Sequence, residues 1–195
     1  MIALIDYGAG NTRSVVNALD RLSVDWTLSA DPAVLNSADK LILPGVGAAG
    51  SAMHALREAG LVDVLRATEQ PLLGVCLGLQ LLYERSEEDD TECLGLLPGV
   101  VRRFPDGGVP IPHMGWNTLR LIGETSLLDA GMDDAHAYFV HSYAAPMGPE
   151  TRATCTYAGV TFSAVVQHGR VVATQFHPEK SAALGAAVLR NFVTA

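Results

Sequence analysis

Short apolar runs alternate with amphipathic stretches through the first half of the chain. The apolar runs at positions 2–5, 25–28, 40–43 and 71–75 have the length of strands. Between them, apolar residues at helical spacing predict helices, the first beginning after a capping residue at Asn11. Strands that alternate with helices in this way are typical of βαβ units, whose right-handed crossovers place helices on both faces of a mostly parallel sheet.

The pattern changes after Ser86. The acidic stretch 86–92 predicts a solvated loop, because a helix disfavours acids at its C-terminal end. Beyond it lie β-rich segments at 100–104, 136–142, 152–157, 161–167 and 171–175, with hairpin turns predicted at 158–159 and 168–169 and a last helix from Ser181. We therefore expect one α/β domain over residues 1–195: a mostly parallel open sheet flanked by helices, like a flavodoxin core, with a mixed or antiparallel β extension.

Composition narrows the possible partners. Among 195 residues the net charge is −8 and no segment concentrates Lys or Arg, which argues against nucleic acid and anionic membranes as partners. The longest uncharged run, 153–169, is shorter than the roughly 20 apolar residues of a membrane helix. Three cysteines without CxxC spacing suit a reducing cytoplasm. Charged residues are only 17%, so we expect another subunit to cover part of the surface.

Cys76 is the sharpest candidate for chemistry. It follows a predicted buried strand, precedes a helical pattern, and has glycines at positions −2 and +2. This is the pattern of a nucleophile elbow with Cys in place of Ser, in which the glycines let strand and helix approach around a strained turn. The helix N-terminus favours the thiolate, and we expect the side chain to be exposed at the carboxyl edge of the sheet. A buried core cysteine is the alternative.

The segment QFHPE at 175–179 supplies a base and its orienting partner. His177 and Glu179 are two positions apart at the end of a predicted strand, which Pro178 prevents from continuing. Glu179 can fix the imidazole tautomer, so the three residues together predict a Cys76–His177–Glu179 triad. In the alternative interpretation His177 is a core histidine and Glu179 caps the last helix.

The loop PGVG at 44–47 is the predicted oxyanion hole. Its glycines leave backbone N–H groups free to point at a ligand, and the amide of Leu77 is the second expected donor. An ordinary βα loop is the alternative. A dinucleotide site at 8–13 is rejected because Arg13 stands where its third glycine belongs, and the histidines lack metal-ligand spacing. We therefore predict neither metal nor cofactor.

These motifs resemble a known family. GVCLGLQLL with the later HPE is similar to the class I, triad-type glutamine amidotransferases, and PHMGWN at 112–117 with YFVHSY at 138–143 resembles the glutaminase subunits of imidazole glycerol phosphate synthase. The likeness covers essentially the whole chain. It implies that Cys76 attacks the glutamine amide and His177 protonates the departing ammonia. It also implies that the substrate is held by Gly45, Val46, Gly47, Leu77, Gln80, Glu88, His141, Ser142 and Tyr143.

The resemblance further implies a heterodimer in histidine biosynthesis. L-glutamine is the substrate, and ammonia passes through a channel into a (β/α)₈-barrel cyclase. The expected contacts with that partner are Asn11, Met114, Trp116 and Asn117, although Trp116 could also be core. Ala49 stands where the family often has Phe. Glutaminase subunits of pyridoxal phosphate, anthranilate or GMP synthesis are the rivals, as is a non-catalytic scaffold, which the intact triad disfavours.

Overall fold

A computed structural model describes residues 1–8 and 12–195, so the predicted helix cap and partner contact at Asn11 lies outside the described residues. The helices are α1 (Thr12–Arg21), α2 (Pro32–Ser37), α3 (Ala49–Glu58), α4 (Leu61–Ala67), α5 (Leu77–Leu81) and α6 (Ala182–Thr194). The strands are β1 (Ile2–Ile5), β2 (Trp26–Ser29), β3 (Lys40–Leu43), β4 (Leu72–Val75), β5 (Tyr83–Ser86), β6 (Thr91–Glu92), β7 (Leu97–Arg103), β8 (His113–Thr118), β9 (Arg120–Leu121), β10 (His136–His141), β11 (Tyr143–Ala144), β12 (Thr151–Tyr157), β13 (Val160–His168) and β14 (Val171–Thr174).

An eight-stranded sheet organises the molecule, in the order β2-β1-β3-β4-β14-β13-β12-β9. The first five strands pair in parallel and the remaining pairings are antiparallel. Buried residues form two apolar clusters, one that includes α3, α4 and α5 and one that includes α1 and α6. The predicted class is confirmed: an α/β sheet with helices on both faces and an antiparallel extension.

The pairing of β4 with β14 positions the two chemical motifs. These strands run parallel with Thr174 opposite Val75. The N–H of Cys76 donates to the carbonyl of Thr174 at 2.8 Å, so the ladder continues one residue beyond β4. Cys76 and the QFHPE segment therefore leave the sheet side by side at its carboxyl edge, where open α/β sheets place their sites.

Two smaller sheets cover this edge, and here the structure departs from the sequence predictions in two places. The acidic stretch 86–92 is a solvated turn only over residues 87–90, because β5 ends at Ser86 and β6 begins at Thr91 in a four-stranded sheet of order β11-β7-β5-β6. Strand β8, which contains all of PHMGWN except Pro112 and is absent from the predicted β-rich segments, pairs antiparallel with β10 along its length. Within the described residues, no helix is both long and apolar enough to cross a bilayer.

Candidate active site

A strained turn carries Cys76 between β4 and α5. Its φ of 55° lies in the left-handed region, which non-glycine residues adopt at a cost of about 1–3 kcal/mol. Both flanking glycines are required by close approach. A Cβ on Gly78 would lie 2.0 Å from the carbonyl oxygen of Leu43, and one on Gly74 would lie 2.9 Å from the carbonyl oxygen of Gly78. The turn therefore has the geometry of a nucleophile elbow.

The expectation that Cys76 is exposed is wrong. The residue is only 5% exposed, because β10 crosses over the elbow and brings the carbonyl oxygen of Val140 to 3.8 Å from the sulfur. Cys76 instead lines a pocket of about 250 Å³. That volume lies below the roughly 300–1,000 Å³ of pockets for drug-sized ligands, and it suits a single amino acid. The thiol is therefore placed to meet a ligand bound in this pocket.

His177 and Glu179 form a buried pair beside the cysteine. The imidazole Nδ1 lies 2.8 Å from Glu179 Oε1, and both side chains are almost fully buried. The N–H of His177 donates to the carbonyl of Tyr138 at 3.0 Å, which attaches the turn Pro178–Lys180 to β10. Glu179 makes no helix cap, since Ser181 is the N-cap residue of α6. The carboxylate is thus placed to orient the imidazole.

The charge balance of this pair favours the imidazolium. Burial of the ring opposes its protonation, but Cys76 and Glu179 outweigh burial and raise the pKa of His177 above its ordinary value. His177 Nε2 is buried and faces the Cys76 side chain, which raises the pKa of the ring through hydrogen bonding and charge. Helix α5 has only five residues, so its dipole contributes little. A histidine proton held beside the sulfur is what acyl-transfer chemistry at a thiolate requires.

The pocket gathers most of the predicted substrate residues. Its lining includes every one of them except Gly45: Val46, Gly47, Leu77, Gln80, Glu88, His141, Ser142 and Tyr143. Pro112 and Val140 also line it and were missed, since nothing in their own sequence context marks them as site residues. The structure therefore brings together, around one sulfur, residues from six separate segments of the chain.

The two glycines of the PGVG loop have different structural roles. Gly45 is buried against the elbow, where an added Cβ would lie 2.6 Å from the amide nitrogen of Gly78. Gly47 is exposed, has a φ of +94° and has open space around it. Leu77, as the first residue of α5, has an N–H without an acceptor inside the helix. Gly45 thus packs the loop onto the elbow, whereas Gly47 and Leu77 line the pocket beside Cys76.

The carboxylate of Glu88 and the side-chain amide of Gln80 also line the pocket, and each is held by hydrogen bonds. Glu88 Oε2 accepts a hydrogen bond from the amide of Ala49 at 2.7 Å, at the start of α3, and burial raises the pKa of its carboxyl. Gln80 Nε2 donates to the carbonyl of Tyr143 at 2.8 Å and to Gln175 Oε1 at 3.1 Å. Sequence analysis missed Gln175, although its place immediately before Phe-His-Pro-Glu was the available signal. Its Nε2 lies 3.8 Å from the Cys76 sulfur.

The residues predicted to contact a partner divide between the two faces of β8. Met114 is 64% exposed and Trp116 is 53% exposed, so the core interpretation of Trp116 is wrong. Asn117 points inward, because successive strand residues alternate in direction. Its amide bonds His113 and the carbonyl of Thr156.

The other two cysteines differ from Cys76. Burial raises the pKa of Cys93 to about 11 and that of Cys155 to about 12, so both remain thiols at neutral pH. Among residues 1–8 and 12–195, no three His, Cys, Asp or Glu side chains converge as metal ligands.

Comparison with known proteins agrees with this geometry. The model of the family "Glutamine amidotransferase class-I" matches residues 3–195. The chain belongs to the class-I glutamine amidotransferases. Glutamine hydrolysis by a cysteine nucleophile is the activity of this family.

Close relatives within this amidotransferase family are known. The chain is 54% identical over 193 residues to "Imidazole glycerol phosphate synthase subunit HisH" of Xanthomonas euvesicatoria pv. vesicatoria, covering 98% of this chain and 96% of that protein. It is 49% identical, with the same coverage, to the HisH subunit of Xylella fastidiosa. A solved glutamine amidotransferase matches with a TM-score of 0.76 at 22% identity, over 100% of this chain and 98% of that one. That last likeness concerns the fold.

Proposed function

We propose that this amidotransferase is the glutaminase subunit of an imidazole glycerol phosphate synthase in histidine biosynthesis. It would hydrolyse L-glutamine to glutamate and ammonia and deliver the ammonia to a cyclase subunit. The single observation that carries the chemistry is the buried Cys76–His177–Glu179 arrangement on the 250 Å³ pocket. The choice of synthase is supported by the relatives, which are HisH subunits at about 50% identity over nearly the full length.

The first half of the reaction forms a thioester. The Cys76 thiolate attacks the side-chain carbonyl carbon of glutamine, and the carbonyl electron pair moves to oxygen. The amides of Gly47 and Leu77 donate hydrogen bonds to this oxyanion. As the tetrahedral intermediate collapses, His177 donates its Nε2 proton to the nitrogen, the C–N bond breaks and ammonia leaves. The raised pKa of His177 supports this role, because the proton is already present at neutral pH.

The second half returns the enzyme to its starting state. Water attacks the thioester carbon while His177 Nε2 takes its proton, and the C–S bond breaks to release glutamate and the thiolate. Glu179 holds Nδ1 at 2.8 Å and so keeps Nε2 directed at the reacting atoms in both steps. Glu88, a half-buried carboxylate on the pocket wall, is the natural partner for the α-ammonium group of the substrate.

The need to keep ammonia away from bulk water indicates what kind of partner the chain has. Bulk water would protonate ammonia and remove its nucleophilicity, so the product has to pass through a sealed channel into a (β/α)₈-barrel subunit of a heterodimer. The exposed side chains of Met114 and Trp116 beside the pocket support β8 as part of the docking face. We further propose a cytoplasmic enzyme formed by one amidotransferase domain over residues 1–195, with neither nucleic acid nor membrane as a partner.

The test is glutamate release from glutamine by the purified chain with its co-purified barrel partner. Cys76→Ala should abolish glutamine-dependent synthesis and leave ammonium-dependent synthesis by the partner intact. Cys93→Ala is the matched control, because this thiol is also buried but lies away from the pocket. Normal glutamine hydrolysis by the Cys76→Ala complex would contradict the assignment, and an inactive wild-type complex would favour a non-catalytic scaffold. Co-purification with a different synthase would favour one of the rival pathways.

A further inference from the structure

Two buried histidines face each other across β8 and β10, and neither moves a proton in the reaction above, although His141 also lines the pocket. His113 and His141 are opposite each other in the antiparallel register. The distance between His113 Nδ1 and His141 Nε2 is 3.2 Å. An aromatic cluster surrounds the pair: Phe104, Phe139, Tyr157 and Phe162. A polar pair in such surroundings is costly unless its nitrogens are satisfied.

The side-chain amide of Asn117 fixes the tautomer of His113. Asn117 Oδ1 accepts from the amide of Thr118 at 2.7 Å, which identifies the other atom of the side-chain amide as nitrogen. That nitrogen donates to the carbonyl of Thr156 at 3.1 Å and to His113 Nε2 at 3.2 Å. Since Nε2 of His113 accepts, its Nδ1 carries the proton and donates to His141.

The carbonyl of Tyr143 independently fixes the tautomer of His141. His141 Nδ1 lies 2.7 Å from the carbonyl oxygen of Tyr143, and a carbonyl can only accept. Nδ1 of His141 therefore carries its proton, and Nε2 is free to accept from His113. Arguments from the two ends agree on a single direction of donation, from Asn117 through His113 and His141 to Tyr143. We call these first three residues the histidine relay.

The relay ends at the carbonyl of Tyr143, which also binds the side-chain amides next to Cys76. The carbonyl of Tyr143 also accepts from Gln80 Nε2 at 2.8 Å. Gln80 donates in turn to Gln175 Oε1 at 3.1 Å, and Gln175 Nε2 points at the Cys76 sulfur at 3.8 Å. We call Gln80 and Gln175 the amide pair. The hydrogen bonds are therefore continuous from β8 to the thiol.

The two faces of β8 connect this chain of hydrogen bonds to the exposed surface. Met114 and Trp116 are exposed on one face of the strand, while His113 and Asn117 lie on the other. We infer that the histidine relay is a positioning device that fixes the Tyr143 carbonyl, the amide pair and hence the Cys76 sulfur relative to the docking face of β8. This inference rests on the proposed function for the identity of what docks there, but its hydrogen-bond pattern belongs to the free chain.

The neutral state of both rings supports the inference. Burial lowers the pKa of His113 to about 4, and it lowers that of His141 to about 3 although the hydrogen bond to the Tyr143 carbonyl opposes it. Each ring therefore has one donor and one acceptor at neutral pH, as a directional chain requires. A protonated ring would place two N–H groups against each other.

The first test needs no variant. Long-range ¹H–¹⁵N NMR of the wild-type chain at neutral pH reports which ring nitrogen carries hydrogen. The expected result is that His113 and His141 are both neutral Nδ1–H tautomers, although free imidazole side chains prefer Nε2–H. An Nε2–H tautomer or an imidazolium at either residue overturns the relay.

The second test separates positioning from simple structural support, in the complex with the barrel partner. His141→Phe keeps the aromatic packing but removes both nitrogens, and it should lower kcat for glutamine by about 2- to 30-fold. His141→Asn places an amide N–H near the position of Nδ1, so it should donate to Tyr143 and recover most of kcat. Ser163→Ala is the matched control, because it removes hydrogen bonds of a buried hydroxyl outside the relay.

The outcomes distinguish this inference from the proposed function. Equal kcat losses in His141→Phe and His141→Asn, or losses no greater than in Ser163→Ala at equal unfolding free energy, overturn the positioning role. A wild-type complex that does not hydrolyse glutamine contradicts the proposed function instead, and the tautomers of the free chain still decide whether the relay exists.

Discussion

Replacing Gly78 by Ala should damage both the stability and the activity of this amidotransferase. The new Cβ would lie 2.0 Å from the carbonyl oxygen of Leu43, whereas real Cβ atoms keep at least 3.0 Å. Backbone therefore has to move by about 1 Å, because no rotamer relieves a Cβ contact. Overpacking of this kind costs about 3 kcal/mol, and at roughly 2–4 °C per kcal/mol the Tm should fall by about 6–12 °C.

The same backbone displacement should also lower the rate of glutamine hydrolysis. Gly45 packs on the amide of Gly78, so a shift of α5 changes the distance between the elbow and the oxyanion loop. A misplacement of about 1 Å costs on the order of 100-fold in rate. The assays are thermal unfolding of the chain and glutaminase turnover in the complex. Gly131→Ala is the control, since it has open space and no positive φ. Wild-type Tm and turnover in Gly78→Ala would refute the close-packing argument.

Three further predictions concern the titratable groups. A glutamine-like electrophile should label Cys76 and spare Cys93 and Cys155, whose pKa values burial raises, and peptide mass spectrometry of the adduct checks this. His177→Ala and Cys76→Ala should each abolish turnover, with the double variant little worse and Glu179→Gln milder, so additive losses in a double-mutant cycle would contradict a coupled triad. The buried histidine pair takes up protons more readily when unfolded, so lowering the pH from about 6.5 to 5 should cost about 1.5 kcal/mol of unfolding free energy per histidine. Replacing both by Phe should flatten that slope in urea titrations, and an unchanged slope would count against neutral buried rings.

Local patterns were sufficient for the parallel half of the fold. The apolar runs at Ile2–Ile5 and Lys40–Leu43 match β1 and β3 residue for residue, because a fully buried strand is marked by its own side chains. The elbow and the QFHPE segment were found for the same reason, since the glycines and the proline constrain their own backbone. Helix α2 was missed although Asp31 and Pro32 gave its cap and first turn, as Asp31 Oδ1 accepts from the amide of Ala33.

Long-range contacts account for the other errors. Strand β8 has an inverted pattern, with Met114 and Trp116 outside and His113 inside, so its hydrophobic alternation gives no signal of burial. Its polar inner face is stable only because β10 and β12 supply hydrogen-bond partners. The burial of Cys76 has the same origin, since Val140 covers it from a strand that no local pattern relates to the elbow.

The pairing of β4 with β14 also makes activity a marker of completed folding. Cys76 and Gln175 are 99 positions apart in the chain, so nucleophile and base meet only after a large loop has closed. Closing such a loop costs entropy before any long-range contact repays it, and parallel pairing of distant strands is slow for that reason. Helices such as α6 can form from nearby residues, but the triad cannot. During refolding, we therefore expect glutamine hydrolysis to return only once β4 has paired with β14, after helical signals have recovered.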